Sequence, residues 1–174
     1  MSQTIDSELI ELCKKQDQRA QQKLYQAYKD SLFTLSVRLV KDRELARVIL
    51  QDAFIEIFKS LQGYRADSGL FAWMRVILVR CAHRNKGFYL SKTEELSAIE
   101  EYEDTPAPEA EAIDLKSAFD ELSTGYRAAL TLYYLEEMSH QEIAELLNIT
   151  VSTSKSQLHH ARKKLKEILE KRKI

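Results

Sequence analysis

Few folds are open to a chain that carries the stretch from Met138 to Leu165, MSHQEIAELLNITVSTSKSQLHHARKKL. Ser139 is followed three residues later by Glu142, the S-x-x-E capping box that opens a helix by satisfying two of its orphan N–H groups. Ile143, Ala144, Leu146 and Leu147 give that helix an apolar side. Asn148-Ile149-Thr150 then breaks it, because asparagine tolerates the left-handed backbone of a tight turn. Thr150 is placed to cap a second helix. At about 100° per residue, Val151, Ser154, Leu158, Ala161, Leu165 and Ile168 fall on one side of this helix, and Ser152, Ser156, His159, His160 and Lys163 on the other. Lys155, Arg162 and Lys166 run along one flank and Lys164 along the opposite one. Between Val151 and Ile174 eight Lys/Arg face only Glu167 and Glu170. A small polar face between basic rails suits entry into a DNA major groove, the centre meeting base edges and the rails holding phosphates. The plainer alternative is two bundle helices with a solvated basic face.

The rest of the chain points the same way. Four Gly and two Pro in 174 residues, with long helix-forming runs, indicate an all-α protein. The net charge of −1 hides an uneven distribution. Residues 1–90 carry 15 basic and 10 acidic side chains, residues 91–114 one basic and nine acidic, and residues 115–174 ten basic and eight acidic. Screening confines a field to about 10 Å, so binding responds to these local balances. The chain therefore reads as two small helical domains, residues 1–90 and 114–174, joined by a flexible acidic linker over 91–113. Pro106 and Pro108 lie within that linker and favour extended backbone. It is either an inert tether or an acidic mimic of nucleic acid that threads a basic channel in a partner.

In the first domain the pattern predicts a helix over about Ser7–Lys15 with Asp6 or Ser7 as cap. A second, capped by Asp17, runs to about Val40, with Ala20, Leu24, Tyr28, Leu32, Leu35 and Leu39 as a one-sided stripe. Asp42 caps a third to about Leu61, apolar over more than one face at Val48, Ile49, Leu50, Phe54, Ile55, Ile57 and Phe58. Such a helix is central in a bundle or offers a second face to a partner. A loop, Gln62 to Ser68, carries Tyr64 and Arg65 near its tip. Asp67 or Ser68 caps a fourth helix, GLFAWMRVILVRCAHRNKGF. Leu70, Trp73, Met74, Ile77, Leu78 and Cys81 form its core face. Arg75, His83 and Lys86 lie opposite, Arg80 and Arg84 at the edge, and Val76 and Val79 among them, a surface suited to unstacked bases and phosphates. The second domain opens with a helix near Ile113–Leu122, and Ser123 or Thr124 caps the next, which runs through GYRAALTLYYLEEM.

This arrangement resembles the sigma-70 family of bacterial transcription initiation factors, specifically its two-domain extracytoplasmic-function group. LYQAYKDSLFTLSVRLVKD, ARVILQDAFIEIFKSL and GLFAWM are similar, in order and spacing, to the family's region two. LSTGYRAALTLYYLEEMSHQEIAELLNITVSTSKSQLHHARKKL is similar to region four. The resemblance implies that Gln51, Phe54, Ile55 and Phe58 bind core RNA polymerase. It assigns Tyr64, Arg65, Trp73, Arg75, Val76, Val79, Arg80, His83 and Arg84 to the promoter minus-ten element, where a base is flipped from the stack. It assigns Ser152, Thr153, Lys155, Ser156, Gln157, His160, Arg162 and Lys163 to the minus-thirty-five element. The implied partners are core polymerase, promoter DNA and an anti-sigma factor, with no small-molecule substrate, cofactor, metal or membrane insertion, in the cytoplasm.

The chain departs from the family at several positions. Val48 stands where an acid is usual, Arg80 where an asparagine is usual, and Ser152-Thr153-Ser154 where glycine-threonine-valine is usual. Ser154 puts a hydroxyl on the core face, which needs a partner such as a carbonyl one turn back. Gln157 and His160 replace arginines; glutamine can read adenine, whereas histidine at neutral pH is mostly uncharged. These departures leave open a sigma-like interaction protein that keeps the fold but has lost promoter recognition. An ordinary repressor using only the helix-turn-helix fits the first block less well. An enzyme fits least, since the histidines lack ligand spacing and no phosphate loop or nucleophile elbow occurs. No apolar run approaches the roughly 20 residues of a membrane span, and the acidic N-terminus is unlike a signal peptide. Cys13 and Cys81 read as isolated buried thiols.

Overall fold

A computed structural model of the chain describes residues 7–67, 69–85 and 112–172, and all their regular elements are helical. Contacts divide the chain into two compact units, Met1–Asn85 and Lys86–Ile174. The acidic linker lies outside the described residues.

The first unit contains α1 (Ser7–Lys14), α2 (Gln18–Val40), α3 (Arg43–Ser60), a 3-10 turn (Leu61–Gly63) and α4 (Leu70–Arg84). Two aspartates open the long helices as expected. The Asp17 carboxylate accepts from the Ala20 N–H at 2.7 Å, and that of Asp42 accepts from Glu44 and Leu45 at 2.8 and 3.0 Å. Between α2 and α3 the chain turns through Lys41, which is left-handed at φ 65° and bonds back to Val37. The α2 stripe is buried at Ala20, Leu24, Leu32, Leu35 and Leu39, while Tyr28 stacks its ring on Phe71. Ile49, Ala53 and Ile57 of α3, and Met74 and Leu78 of α4, complete the core. A buried hydroxyl ties two helices together where Ser36 Oγ donates to the Ala46 carbonyl at 3.1 Å, meeting the requirement that buried polar groups be paired.

The start of α4 differs from the expectation. Gly69 is the capping residue, with no side-chain bond; Asp67 does not serve, and Ser68 lies outside the described residues. The helix ends at Arg84, with Asn85 extended. The Asn85 side-chain amide donates to the Cys81 carbonyl at 2.8 Å, satisfying one of the last acceptors of the helix. Cys13 and Cys81 are free and buried.

The second unit contains α5 (Ala112–Glu121), α6 (Thr124–Leu130), a π-helical turn (Thr131–Leu135), α7 (His140–Leu147) and α8 (Val151–Arg172). The helix expected to run through Met138 instead widens at Thr131, whose carbonyl accepts from Glu136. A π-turn adds a residue to one turn and shifts the side chains beyond it around the axis. Leu132 is thereby buried while Tyr134 and Leu135 face out. Ser123 precedes α6 without a side-chain capping bond. The core gathers Ala118 and Leu122 from the α5 end, Ala129 and Leu130 from α6, and Leu158, Ala161, Ile168 and Leu169 from α8. An Arg172–Glu121 ion pair closes the far end. Arg127 is also buried; burial lowers its pKa, and the Asp120 carboxylate opposes that shift.

Ile49 and its neighbour Val48 lie on different sides of α3, the first fully buried and the second half-exposed. Ile49→Ala should cost about 2–5 kcal/mol in urea unfolding, the range for a large-to-small core change. Val48→Ala should stay within about 0.5 kcal/mol. Equal losses would show that α3 is not oriented as described.

Candidate functional site

The turn between α7 and α8 is built as its sequence dictates. Ser139 Oγ accepts from the Glu142 N–H at 3.2 Å, and the Glu142 carboxylate accepts from the Ser139 N–H at 2.8 Å. Asn148 is left-handed (φ 53°, ψ 48°) and its N–H bonds to the Ala144 carbonyl. Thr150 Oγ1 accepts from the Thr153 N–H at 3.0 Å, opening α8. The short α7, capped at both ends, meets the capped start of the longer α8 at a fixed turn, which is the helix-turn-helix arrangement.

On α8 the side away from the core carries exposed Ser152 and Lys163 with half-buried Ser156 and His159 between them, at spacings of four, three and four and hence in one stripe. Lys155 and Lys166 flank it and are exposed. Lys164 pairs with Glu167 at 3.3 Å and Lys166 with Glu170 at 3.8 Å; such exposed pairs within one helix contribute little. Burial first, then the charges of His160, Arg162 and Lys163, hold the His159 pKa below its usual value. Three small polar residues turn partly inward. The Thr153 hydroxyl bonds that of Thr150 at 2.8 Å, Ser156 Oγ donates to the Thr153 carbonyl at 3.2 Å, and Ser154 is buried. Gln157 is half-buried beside Leu158, at the edge of the core side, and His160 and Arg162 are also half-buried. Val151, expected on the apolar side, is exposed at the first position of α8.

Ser154 Oγ lies 2.9 Å from His140 Nδ1, so the hydroxyl is met by an imidazole of α7 rather than by the expected carbonyl. His140 stacks on Tyr133, with ring centroids 4.7 Å apart and planes at 27°. Sequence reasoning passed over His140 because its partners lie 7 residues before and 14 after it. The one signal was a serine on the core face of α8.

In the first unit, the sequence assignments separate into surface and core. Gln51 and Ile55 are exposed on α3, in line with exposed Val48. Phe54 is only 4 % exposed, packed between Tyr25 and Phe58 at centroid distances of 4.6 and 5.9 Å. It supports the face rather than presenting itself, a correction to its placement as a contact. Phe58 is half-buried. Beside Ile55 a groove of about 340 Å³ is lined by Asp52, Glu56 and Lys59 of α3, with Cys81, Arg84 and Asn85 at the end of α4. Arg84 donates to Cys81 Sγ at 3.2 Å. That bond is the main cause of its raised pKa.

Val79 is fully buried, which corrects its assignment to a contact face. The reason is that α4 packs against both α2 and α3, so the covered arc is wider than a one-sided wheel allows. What remains exposed is Arg80 and Arg84, with Trp73 and Val76 half-buried in line with them and Arg75 and His83 half-buried at the border. Tyr64 is likewise buried at the base of its loop, not exposed at the tip, with its ring 5.1 Å from that of Trp73. Arg65 is exposed, and Ala66 beside it is left-handed at φ 60°, a conformation that costs a non-glycine residue roughly 1 kcal/mol. Such local strain persists where surrounding structure holds it.

Among the described residues, no group of three or more His, Cys, Asp or Glu is placed to hold a metal ion, and no helix is long and apolar enough to cross a membrane.

Comparison with known proteins accounts for both units. Residues 112–165 match the family "Sigma-70, region 4". The extracytoplasmic-function RNA polymerase sigma factor SigM of Bacillus subtilis is 27 % identical over 150 residues, covering 83 % of this chain and 92 % of the relative. The RNA polymerase sigma-H factor of Pseudomonas aeruginosa is 25 % identical over 186 residues, covering 98 % and 96 %. In fold, the chain is similar to the sigma factor RpoE from Bartonella quintana, solved in complex with the anti-sigma factor NepR. The TM-score is 0.56 at 23 % identity, over 86 % of this chain and 96 % of that one. With a sigma-70 region 4 over residues 112–165 and a helix-turn-helix built on its own capping residues, the chain is similar along nearly its whole length to sigma factors of the extracytoplasmic-function group.

Proposed function

We propose that this protein is a transcription initiation factor that binds core RNA polymerase and directs it to particular promoters, the polymerase supplying all the chemistry. The observation that carries this reading is the pairing of two separately folded helical units, one ending in a capped helix-turn-helix, in a chain that aligns with sigma factors over both. On this reading residues 1–90 act as region two, 91–113 as the linker and 114–174 as region four. The protein works in the cytoplasm.

Polymerase binding is assigned to the exposed side of α3, through Gln51 and Ile55 with Phe58 at its edge and Phe54 as the support beneath. Val48 lies on the same face, so the contact is more apolar than one with an acid there. Minus-ten recognition is assigned to Arg65, Trp73, Val76, Arg80 and Arg84, with Arg75 and His83 at the border. Arginines beside an indole offer phosphate contacts and a stacking platform for an unpaired base. Minus-thirty-five recognition is assigned to the α8 stripe, with Lys155, Arg162 and Lys163 on phosphates. An anti-sigma factor is the expected regulator, as in the related complex.

The direct test is in vitro transcription of a genomic library by the purified chain with core polymerase of its own host. A defined set of promoters should respond. Binding to core with no responding promoter would overturn promoter recognition and leave only an interaction protein. A narrower outcome concerns the rails: Lys155→Ala or Arg162→Ala should weaken holoenzyme binding almost equally across promoter sequences and reduce the slope of log affinity against log salt by about 0.9 per lost phosphate contact. An unchanged slope would remove that residue from the phosphate contacts.

A further inference from the structure

The hydroxyl on the core face of α8 and the imidazole that meets it form a contact that an apolar residue at position 154 would not make. His140 is the first residue of α7, and its ring touches the two elements that flank its own helix. One face lies on Tyr133 of the π-turn, and Nδ1 reaches Ser154 in the first turn of α8. Ser154 is 4 % exposed and sits one turn before Leu158, so it belongs to the packed side of the helix. A hydrogen bond in such a place is directional, unlike the methyl contact a valine would make, and it specifies the position of α8 along and around its axis.

We propose that His140 is a positioning residue for the reading helix, coupling the π-turn to α8 through Tyr133 and Ser154 and so setting how the polar stripe of α8 meets DNA. This rests on the reading of α8 as the DNA-contacting helix. The contact is also sensitive to protonation. A neutral ring protonated at Nε2 accepts the Ser154 hydroxyl proton at Nδ1, whereas an imidazolium donates Nδ1–H to Ser154 Oγ, so protonation reverses the bond and turns the buried hydroxyl proton away from the ring. The charges around the ring disfavour protonation. Lys155 bears on it from α8, Tyr133 faces it from the π-turn as a neutral phenol, and the Glu142 carboxylate of its own helix is turned to Ser139. The N-terminal end of a helix is itself unfavourable to a cation. Burial, and then Lys155, hold the His140 pKa below its ordinary value. The unfolded chain therefore takes up this proton more readily than the folded unit. The stabilising contribution is fully present above about pH 6.5 and is lost as the pH falls from there through the depressed folded value.

This sign opposes that of a histidine that contacts phosphate, which strengthens DNA binding on acidification. The test uses the full chain in two arms. In the first, imidazole and backbone amide resonances are followed between pH 8 and 5.5 for wild type, His140→Gln and Ser154→Ala, without DNA. Amides at the start of α8 should shift with the His140 titration in wild type and be uncoupled from it in Ser154→Ala. In the second, holoenzyme affinity for a promoter recovered by the transcription assay is compared at pH 7.5 and 6.0. It should fall in wild type, by at most about threefold, the scale of one weak hydrogen bond, and change less in His140→Gln, whose amide can still meet Ser154. Should His140→Gln fail to fold, Ser154→Ala, which deletes one hydroxyl, carries the same comparison and should bind more weakly at pH 7.5 with a flatter profile. Amides in α8 that ignore the His140 titration, or an identical pH dependence in wild type and both variants, would overturn the proposal. Absence of promoter affinity at every pH would overturn the function proposed above, while the first arm, which needs no DNA, still decides the positioning claim.

Discussion

The left-handed turn at Asn148 is the constraint on which the second unit depends. Helices as short as α7, at eight residues, are marginal on their own. This one is held by a capping box before it, a left-handed cap after it and an apolar side of Ile143, Ala144, Leu146 and Leu147 against the rest of the unit. Once the turn is fixed, the first residues of α7 and α8 are brought together, and His140 reaches Ser154. The buried side of α8 then follows from Ser154, Leu158 and Ala161. The opposite side is left to the polar stripe between its lysines. The reading face is thus a consequence of how the helix is capped and packed, and its chemistry comes from the residues the core does not use.

The first unit solves a different problem. On the proposed function its helices must build a core and still leave two faces for partners, yet α3 and α4 are both apolar around much of their circumference. On α3 the two uses divide by side: Ile49, Ala53, Phe54 and Ile57 go inward, while Val48, Gln51 and Ile55 remain outside. On α4, contact with both α2 and α3 takes in Val79 as well as the expected core residues. The stripe from Trp73 through Val76 and Arg80 to Arg84 is what remains. Buried Tyr64 packs against Trp73 and links the loop to that stripe.

Much of this was legible from residue order alone. Asp17, Asp42, Ser139, Asn148 and Thr150 act where local chemistry places them, because a cap involves only residues a few positions away. The α2 stripe was legible for the same reason, as one helix with one covered side. Most of the misses involve residues distant in sequence. Phe54, Val79 and Tyr64 are buried by neighbouring elements whose positions no single-helix wheel contains. The π-turn at Thr131 and the His140–Ser154 contact depend on how α6, α7 and α8 meet. In α4, Asp67 and Ser68 are both good caps by residue type, but the helix begins one residue later, behind Gly69.

On the proposed function, promoter recognition is divided between two units and completed by the polymerase, the upstream reader carrying Gln157 and His160 where the family resemblance leads one to expect arginines. This division is tested most directly by measuring equilibrium discrimination between a responding promoter and random DNA, at one fixed salt concentration, for the chain alone and for the chain with core polymerase. Weak, nearly sequence-independent binding is expected for the chain alone, and clear discrimination once polymerase is present. Tight, sequence-specific binding by the chain alone, unchanged by polymerase, would contradict this division and make the protein a self-sufficient helix-turn-helix reader.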